Sequence, residues 1–578
     1  MKKLLCLLLA AALAFSLTGC GYLGLLGEPF EDEETPTPRP TSHLTPSTDA
    51  PGETPDRDGA GNRFEEVWRA DYPYDDYEYE DYDPAWFDEY TAPLYEMAVS
   101  GGTKDGFSDA AFAIEDELGY VFDMYTLAEL AYYRDPSDET LAARVNTALA
   151  RYYDLYDEYN AAMAAVANSK YSSLMTDWSP ERYIDWFRNE GGETPDRTLS
   201  DQEDALVQRY YALAAEDEPD AAAMADVFAE LVGVRREMAD AYGYDSYADY
   251  AYAELYGRNF TPADVEVLLD GVKTCFAPLV SAYALDVLDE AEMLTSSAID
   301  CEPDVILEAM GSVLPWMSAE LAAAFDYMVG YGLCDIEQDP GKVETGFTTR
   351  FYYLNEPFIF NAPYGEVQDY FDMIHEFGHF ANAFYTTSDL LYGVSDFDLS
   401  ELQSQGMEIM FTWYYDDIFS PELADAARST VLMNMVYSLV DGALYDEFQR
   451  RVYAEPNLTG ERAAEIYGEV CDDYGCYEGR GEFAYDWVWV THNFDHPFYY
   501  ISYCTSALGA LELYDLLCED SDVAMDKYLE ICAMDTEYYY YTDALEEAGL
   551  HSIFDTDAYV GAADALDRTF AEALGAAA

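Results

Sequence analysis

The sequence predicts a predominantly α-helical protein with one small β element, and three observations lead there. Half of the residues are apolar, with 54 tyrosines and 29 phenylalanines, so the chain can bury a large core and lies far from the composition of disordered chains. Ala, Leu, Met and Glu are dense, and apolar residues recur at three- and four-residue spacing between Gly or Pro breaks, which is the period of amphipathic helices. One stretch, 346–361, abandons that period for aromatic and β-branched residues around a turn. Charge narrows the partners: 28 Lys and Arg against 115 Asp and Glu leave a net −87. Such a surface cannot follow a phosphate backbone and is repelled by anionic lipid unless an anchor holds it, so a nucleic-acid partner is excluded.

Residues 1–20 read MKKLLCLLLAAALAFSLTGC: two lysines, a short apolar run and then small residues, the pattern of an export signal. Its end, Leu17-Thr18-Gly19-Cys20, resembles a bacterial lipobox, which implies cleavage before Cys20 and lipidation of that cysteine. Loss of Lys2 and Lys3 takes the charge from −87 to −89. Residues 21–62 read as a tether, with seven prolines between Glu28 and Asn62 and few large apolar side chains. The expected location is therefore extracytoplasmic, with the membrane touched only through the N-terminal lipid. Of the ten cysteines, the eight beyond Cys20 show no CxxC pair, and their spacing implies no connectivity.

The body divides on this reading into an N-terminal helical part, 63–260, and a second part, 261–578. Segments 140–165 and 220–242 show the helical period clearly. The acidic, tyrosine-rich strip 71–89 reads as the half-buried start of a helix.

The chemistry concentrates at His375-Glu376-Phe377-Gly378-His379, inside an amphipathic run from about Glu366 to Tyr385. Residues four apart on a helix share a face, so His375 and His379 can aim their imidazoles at one metal ion, with Glu376 beside them. Two neutral nitrogens at about 2.1 Å leave a zinc ion room for a third ligand and a water whose pKa falls to around 7. Glu376 can accept that proton. Glu401, 22 residues beyond His379, opens the next helical run and is the candidate third ligand. Glu408, two turns further on the same face, is the second candidate as a ligand and the first as a hydrogen-bond partner of a ligating histidine.

The run His375 to His379, followed by Glu401-Leu402-Gln403-Ser404-Gln405 and Glu408, resembles the thimet oligopeptidase and oligoendopeptidase F family of HExxH zinc metallopeptidases. Two further blocks are similar to that family: His492-Asn493-Phe494-Asp495-His496-Pro497-Phe498-Tyr499-Tyr500-Ile501-Ser502-Tyr503, and, upstream, Tyr242 to Tyr250 with Gly257 to Pro262. The resemblance implies a large helical zincin-type fold with a small β-sheet beside the active-site helix and a deep channel that admits short peptides. It implies one zinc ion per chain held by His375, His379 and Glu401, with Glu376 as general base and then acid. It carries His492, Tyr500 and Tyr503 over as donors that stabilise the tetrahedral intermediate, a role that phenolic O–H and imidazole N–H groups suit chemically. His496 matches nothing in the pattern and reads as accessory. The resemblance also implies that Gly346 to Thr349 lies in an edge strand that pairs with the substrate backbone.

The expected activity is zinc-dependent endopeptidase hydrolysis of short oligopeptides. A dipeptidyl carboxypeptidase or carboxypeptidase of the same fold would need a clamp for the substrate carboxylate, which the sequence does not reveal. A non-catalytic peptide-binding lipoprotein would have no use for Glu376.

Overall fold

The computed structural model describes Phe64 and residues 67–176, 184, 187–188, 197–214, 219–388, 395–475 and 484–574. The export signal 1–20, the lipobox with Cys20, the tether 21–62 and Cys476 lie outside the described residues.

The first helices are α1 (Pro84–Ser100), α2 (Lys104–Arg134) and α3 (Glu139–Ala167). Each starts where the sequence offers a side-chain oxygen to the free amides of a first turn: Asp83 ahead of Pro84, then Thr103 and Asp138. Their apolar faces, including Phe87, Leu94, Phe107, Ile114, Leu155 and Met163, close into a hydrophobic cluster of their own. Within the strip 71–89 the expected helix start holds from Pro84, where α1 begins, and fails over 71–83. Apart from a short turn at Tyr74–Asp76, it has no regular structure until Pro84. Its rings explain this: Tyr74 and Tyr77 pack on Phe351 and Phe358, and that contact with the sheet wins over helix propensity.

A second, larger cluster gathers the rest. Its helices are α4 (Arg197–Ala214), α5 (Ala221–Tyr242), α6 (Glu266–Ser296), α7 (Pro303–Met317) and α8 (Ala319–Tyr331), then α9 (Gln368–Tyr385), α10 (Phe397–Phe411), α11 (Pro421–Ala454) and α12 (Gly460–Tyr474), and finally α13 (Ile501–Glu519), α14 (Ser521–Cys532) and α15 (Thr556–Ala573). Helix α6 is long and apolar enough by composition to cross a membrane, with 44% of its most apolar window buried. It packs along α11. Helix α11 has buried residues on every face, from Ala424 to Tyr453, as a helix in the middle of a core must.

Three strands form the sheet: β1 (Cys334–Asp335), β2 (Gly346–Phe351) and β3 (Glu356–Asn361), in the order β1-β3-β2. Strand β3 is buried throughout, parallel to β1 and antiparallel to β2, with Thr348 opposite Ile359. The hairpin of β2 and β3 was legible as two β segments; the two-residue β1 was too short to read. Asp123 of α2 accepts the Tyr352 and Leu354 amides of the turn at 2.6 and 3.3 Å, so the N-terminal helices fix the hairpin from behind.

Candidate active site

Helix α9 begins where the Asp369 carboxylate gathers the amides of Tyr364, Gly365 and Glu366 at 3.0, 2.7 and 3.0 Å. Two turns on, His375 and His379 come to one side of the helix, their ring centroids 5.1 Å apart. The next helix, α10, is started by Asp396, which accepts the Leu399 amide at 2.9 Å. What brings Glu401 of α10 to the histidines is Gly378, inside the HEFGH run. A β-carbon there would lie 2.6 Å from the Ser404 Cα and 2.9 Å from the Gln403 carbonyl oxygen. Only hydrogen lets the helices approach this closely.

The result is a compact N,N,O set. Ligand atoms of His375, His379 and Glu401 all lie within 4.8 Å of one another. Glu401 Oε2 is 3.6 Å from His375 Nε2 and 4.0 Å from His379 Nε2. A tetrahedral ion with bonds of about 2.1 Å separates its ligand atoms by roughly 3.4 Å, so the three residues fit zinc with a small inward adjustment. The outer contacts agree with this use. His375 Nδ1 lies 2.8 Å from Glu408 Oε1; a carboxylate only accepts, so Nδ1 carries the hydrogen and Nε2 is left for a metal. His379 Nδ1 sits 3.3 Å from the Ser400 hydroxyl. Tyr499 donates its hydroxyl to Glu401 Oε1 at 3.3 Å, which turns Oε2 toward the histidines.

The field is strongly negative. Burial by itself depresses the His375 imidazole, but the hydrogen bond to Glu408 and the charges of Glu408, Glu401 and Glu376 lift it to about 10. A proton or a cation is thus held tightly at this point. His379, buried and beside His375, is pushed well below the ordinary histidine value. Burial raises the Glu376 carboxyl to about 7, against the opposing pull of His375 and of a hydrogen bond from Thr348, with Glu401 and Glu408 adding to the rise. Thr348 of β2 donates to Glu376 Oε2 at 2.7 Å and to the Glu376 carbonyl at 3.0 Å.

His492 lies in a short turn, Thr491–Asn493, ahead of α13. Its ring is 5.3 Å from those of Tyr499 and Tyr500 and 6.3 Å from that of Tyr503. Tyr500 immediately precedes α13 and Tyr503 lies in its first turn. Gly442 of α11 allows the close approach, because a β-carbon there would be 2.6 Å from the Tyr500 carbonyl oxygen. Burial holds the His492 imidazole down at about 4, with His496 reinforcing and Asp495 opposing. It is therefore a neutral ring at physiological pH. His496 is more exposed and faces Asp495, 2.9 Å away. Tyr499 joins this aromatic group to the His375, His379 and Glu401 set. Sequence reasoning chose Tyr500 and Tyr503 and missed Tyr499, since three tyrosines in five residues carry equal local signal.

Two buried arginines, also missed, hold this segment. Arg235 of α5 donates to the Asn493 and Phe494 carbonyls and to the Tyr453 hydroxyl, and pairs with Glu203. Arg258 pairs with Asp398 of α10 at 3.0 Å and donates to the Phe498 carbonyl and the Ser502 hydroxyl at 3.1 and 2.8 Å. Phe498 has φ +66°, a costly conformation for a bulky residue. Arg258 on its carbonyl and Gln449 on its amide keep it there. The Arg258–Asp398 pair thus ties the helix of Glu401 to the loop that aims the tyrosines.

No family model matches the chain. It is 25% identical over 209 residues to an oligoendopeptidase F homolog of Lactococcus lactis subsp. lactis (strain IL1403), covering 34% of each chain. It is 22% identical over 232 residues to the oligopeptidase PepF of Bacillus subtilis (strain 168), covering 37% of this chain and 33% of that one. These matches span about a third of the curated relatives. Among solved structures, PZ peptidase A with an inhibitor superposes with TM-score 0.68 at 18% identity, over 86% of this chain and 99% of that one. Oligoendopeptidase-F from Enterococcus faecium superposes with TM-score 0.54 at 14% identity, over 85% and 98%. This likeness is one of fold. The chain's relatives in sequence are oligoendopeptidase F peptidases, and its fold is that of a large helical peptidase of the same kind.

Proposed function

We propose that the protein is a zinc-dependent endopeptidase that hydrolyses short oligopeptides, held outside the cytoplasm by a lipid on Cys20. The observation that carries this reading is the convergence of His375, His379 and Glu401 beside the buried Glu376 carboxylate. His375 and His379 would hold zinc through Nε2 and Glu401 through Oε2, with Glu408, Ser400 and Tyr499 steadying them. When bound, zinc supplies a Lewis acid that polarises the scissile carbonyl and makes water acidic near neutral pH.

The chain's own groups do the rest. Glu376 takes a proton from the attacking water and delivers it to the leaving amine. Tyr500, Tyr503 and the neutral His492 donate hydrogen bonds to the oxyanion, which they hold more strongly in the transition state than in the substrate. Strand β2 is an edge of its sheet and offers an extended peptide a place to pair. A channel admitting only short chains completes the reading.

The test is cleavage of quenched fluorescent peptides of about 5 to 20 residues by the full-length chain, with zinc, with chelator, and as Glu376→Gln. Cleavage of the short peptides, abolished by chelator and lowered by about 1,000-fold or more in the variant, supports the reading. Zinc binding and peptide binding without any cleavage would sink it in favour of a binding lipoprotein.

A further inference from the structure

We propose that Thr348 is a positioning residue that orients Glu376 from the strand on which the peptide would lie. This inference rests on the peptidase reading and adds to it a link between base and substrate edge.

The ladder fixes which way Thr348 faces. The Ala362 amide donates to the Thr345 carbonyl at 3.1 Å, and the register places Gly346 opposite Asn361, so Thr345 stands opposite Ala362. Antiparallel strands alternate between pairs that exchange hydrogen bonds and pairs that do not. Residues 347, 349 and 351 therefore spend their amides and carbonyls on β3. Gly346, Thr348 and Arg350 turn theirs outward, to the open edge. The side chains of Thr348 and Arg350 share the other alternation and lie over α9: Arg350 donates to the Ala383 carbonyl, and Thr348 reaches Glu376.

The Thr348 contact is specific. Glu376 is 4% exposed, and among the described residues the Thr348 hydroxyl provides the one hydrogen bond to its carboxylate. A carboxylate three bonds from Cα swings about its side-chain torsions, while a β-branched threonine in a strand has a restricted χ1. A charged hydrogen bond from a stiff donor selects one carboxylate orientation. Thr348 thereby sets Oε2, and its own amide and carbonyl stand on the edge where a substrate strand would pair. The distance between the base and the peptide backbone is carried by one residue.

The experiment compares the zinc-loaded full-length wild type with Thr348→Val and Thr348→Ser, reading kcat and KM on one peptide, bound zinc, and the Glu376 side chain in crystals. Val keeps shape and β-branching without the hydroxyl; Ser keeps the hydroxyl. We expect Val to lower kcat by about 10-fold or more, with KM within about threefold, zinc content unchanged and the Glu376 carboxylate spread over more than one orientation. Ser should keep kcat within about threefold. Wild-type kcat in Val, a loss confined to KM, equal losses in Val and Ser, or a single undisturbed carboxylate orientation in Val would each overturn the proposal. If Val does not fold, Thr348→Ala is read in the same way. A wild type that cleaves nothing would overturn the peptidase reading alone, and the crystallographic comparison would still decide the role of Thr348.

Discussion

Adding one methyl group at Gly378 should uncouple the metal ligands. The β-carbon of Gly378→Ala would lie 2.6 Å from the Ser404 Cα, 2.9 Å from the Gln403 oxygen and 3.1 Å from the Met407 Cβ. Carbon atoms rest at about 3.5–4.0 Å, and two of the three neighbours are backbone, so relief requires α9 and α10 to separate by roughly 1 Å. That carries Glu401 Oε2 from its present 3.6 and 4.0 Å to near 4.5–5 Å, against the ~3.4 Å that a tetrahedral zinc requires. Overpacking of this kind costs about 1–3 kcal/mol, and the helix propensity of alanine returns up to about 1 kcal/mol. Zinc affinity, measured by competition with a chromophoric chelator, should fall about 100-fold or more, and urea unfolding should show a net loss of about 1–2 kcal/mol. Gly233→Ala is the control, since nothing lies within 4 Å of its β-carbon in α5; it should leave zinc affinity alone. A Gly378→Ala protein that binds zinc within threefold of wild type and unfolds at the same urea concentration refutes the close-approach argument.

Three further outcomes are expected. Glu408→Ala removes the acceptor from His375 Nδ1 and should weaken zinc binding by about 10- to 100-fold; unchanged affinity in the chelator competition would exclude a steadying role. Tyr503→Phe should lower kcat by about 100-fold with zinc content intact, whereas Tyr499→Phe should weaken zinc by about 10-fold; the reverse pattern in a paired assay would interchange their assignments. Glu356, buried on β3 with Oε1 accepting from Tyr327 and from the Asp71 amide at 2.6 and 3.0 Å, has an Oε2 without a hydrogen-bond partner among the described residues. Burial is the chief cause that raises its pKa from 4.5 to about 7. A folded pKa above the unfolded one means that stability is greatest below pH 4.5 and falls as pH rises through 7, by on the order of 3 kcal/mol at most. Glu356→Gln should flatten that decline, matching wild type near pH 5 and exceeding it at pH 8 in urea unfolding; parallel pH curves for the two proteins would count against it.

The amino-acid order by itself determined what depends on short spacing. Helical periods produced α3 and α5, the aromatic and β-branched pattern produced the β2–β3 hairpin, and the four-residue interval of His375 and His379 placed two nitrogens on one side of α9. The helical run that bears Glu401 was legible as well. Only the tertiary structure decided which distant groups meet them. That Gly378 is a contact and not a flexible point, that Tyr499 reaches Glu401 while Tyr500 meets the His492 ring edge-on, and that Arg258 and Gln449 hold a strained Phe498 are facts of packing between separate elements. The tyrosine-rich strip shows the same limit from the other side: its local pattern suited a helix start, which comes only at Pro84, because Tyr74 and Tyr77 pack on rings of a distant sheet. Local spacing selects which atoms a helix or strand can present, whereas close packing in the core selects which of those atoms come within hydrogen-bond or ligand distance.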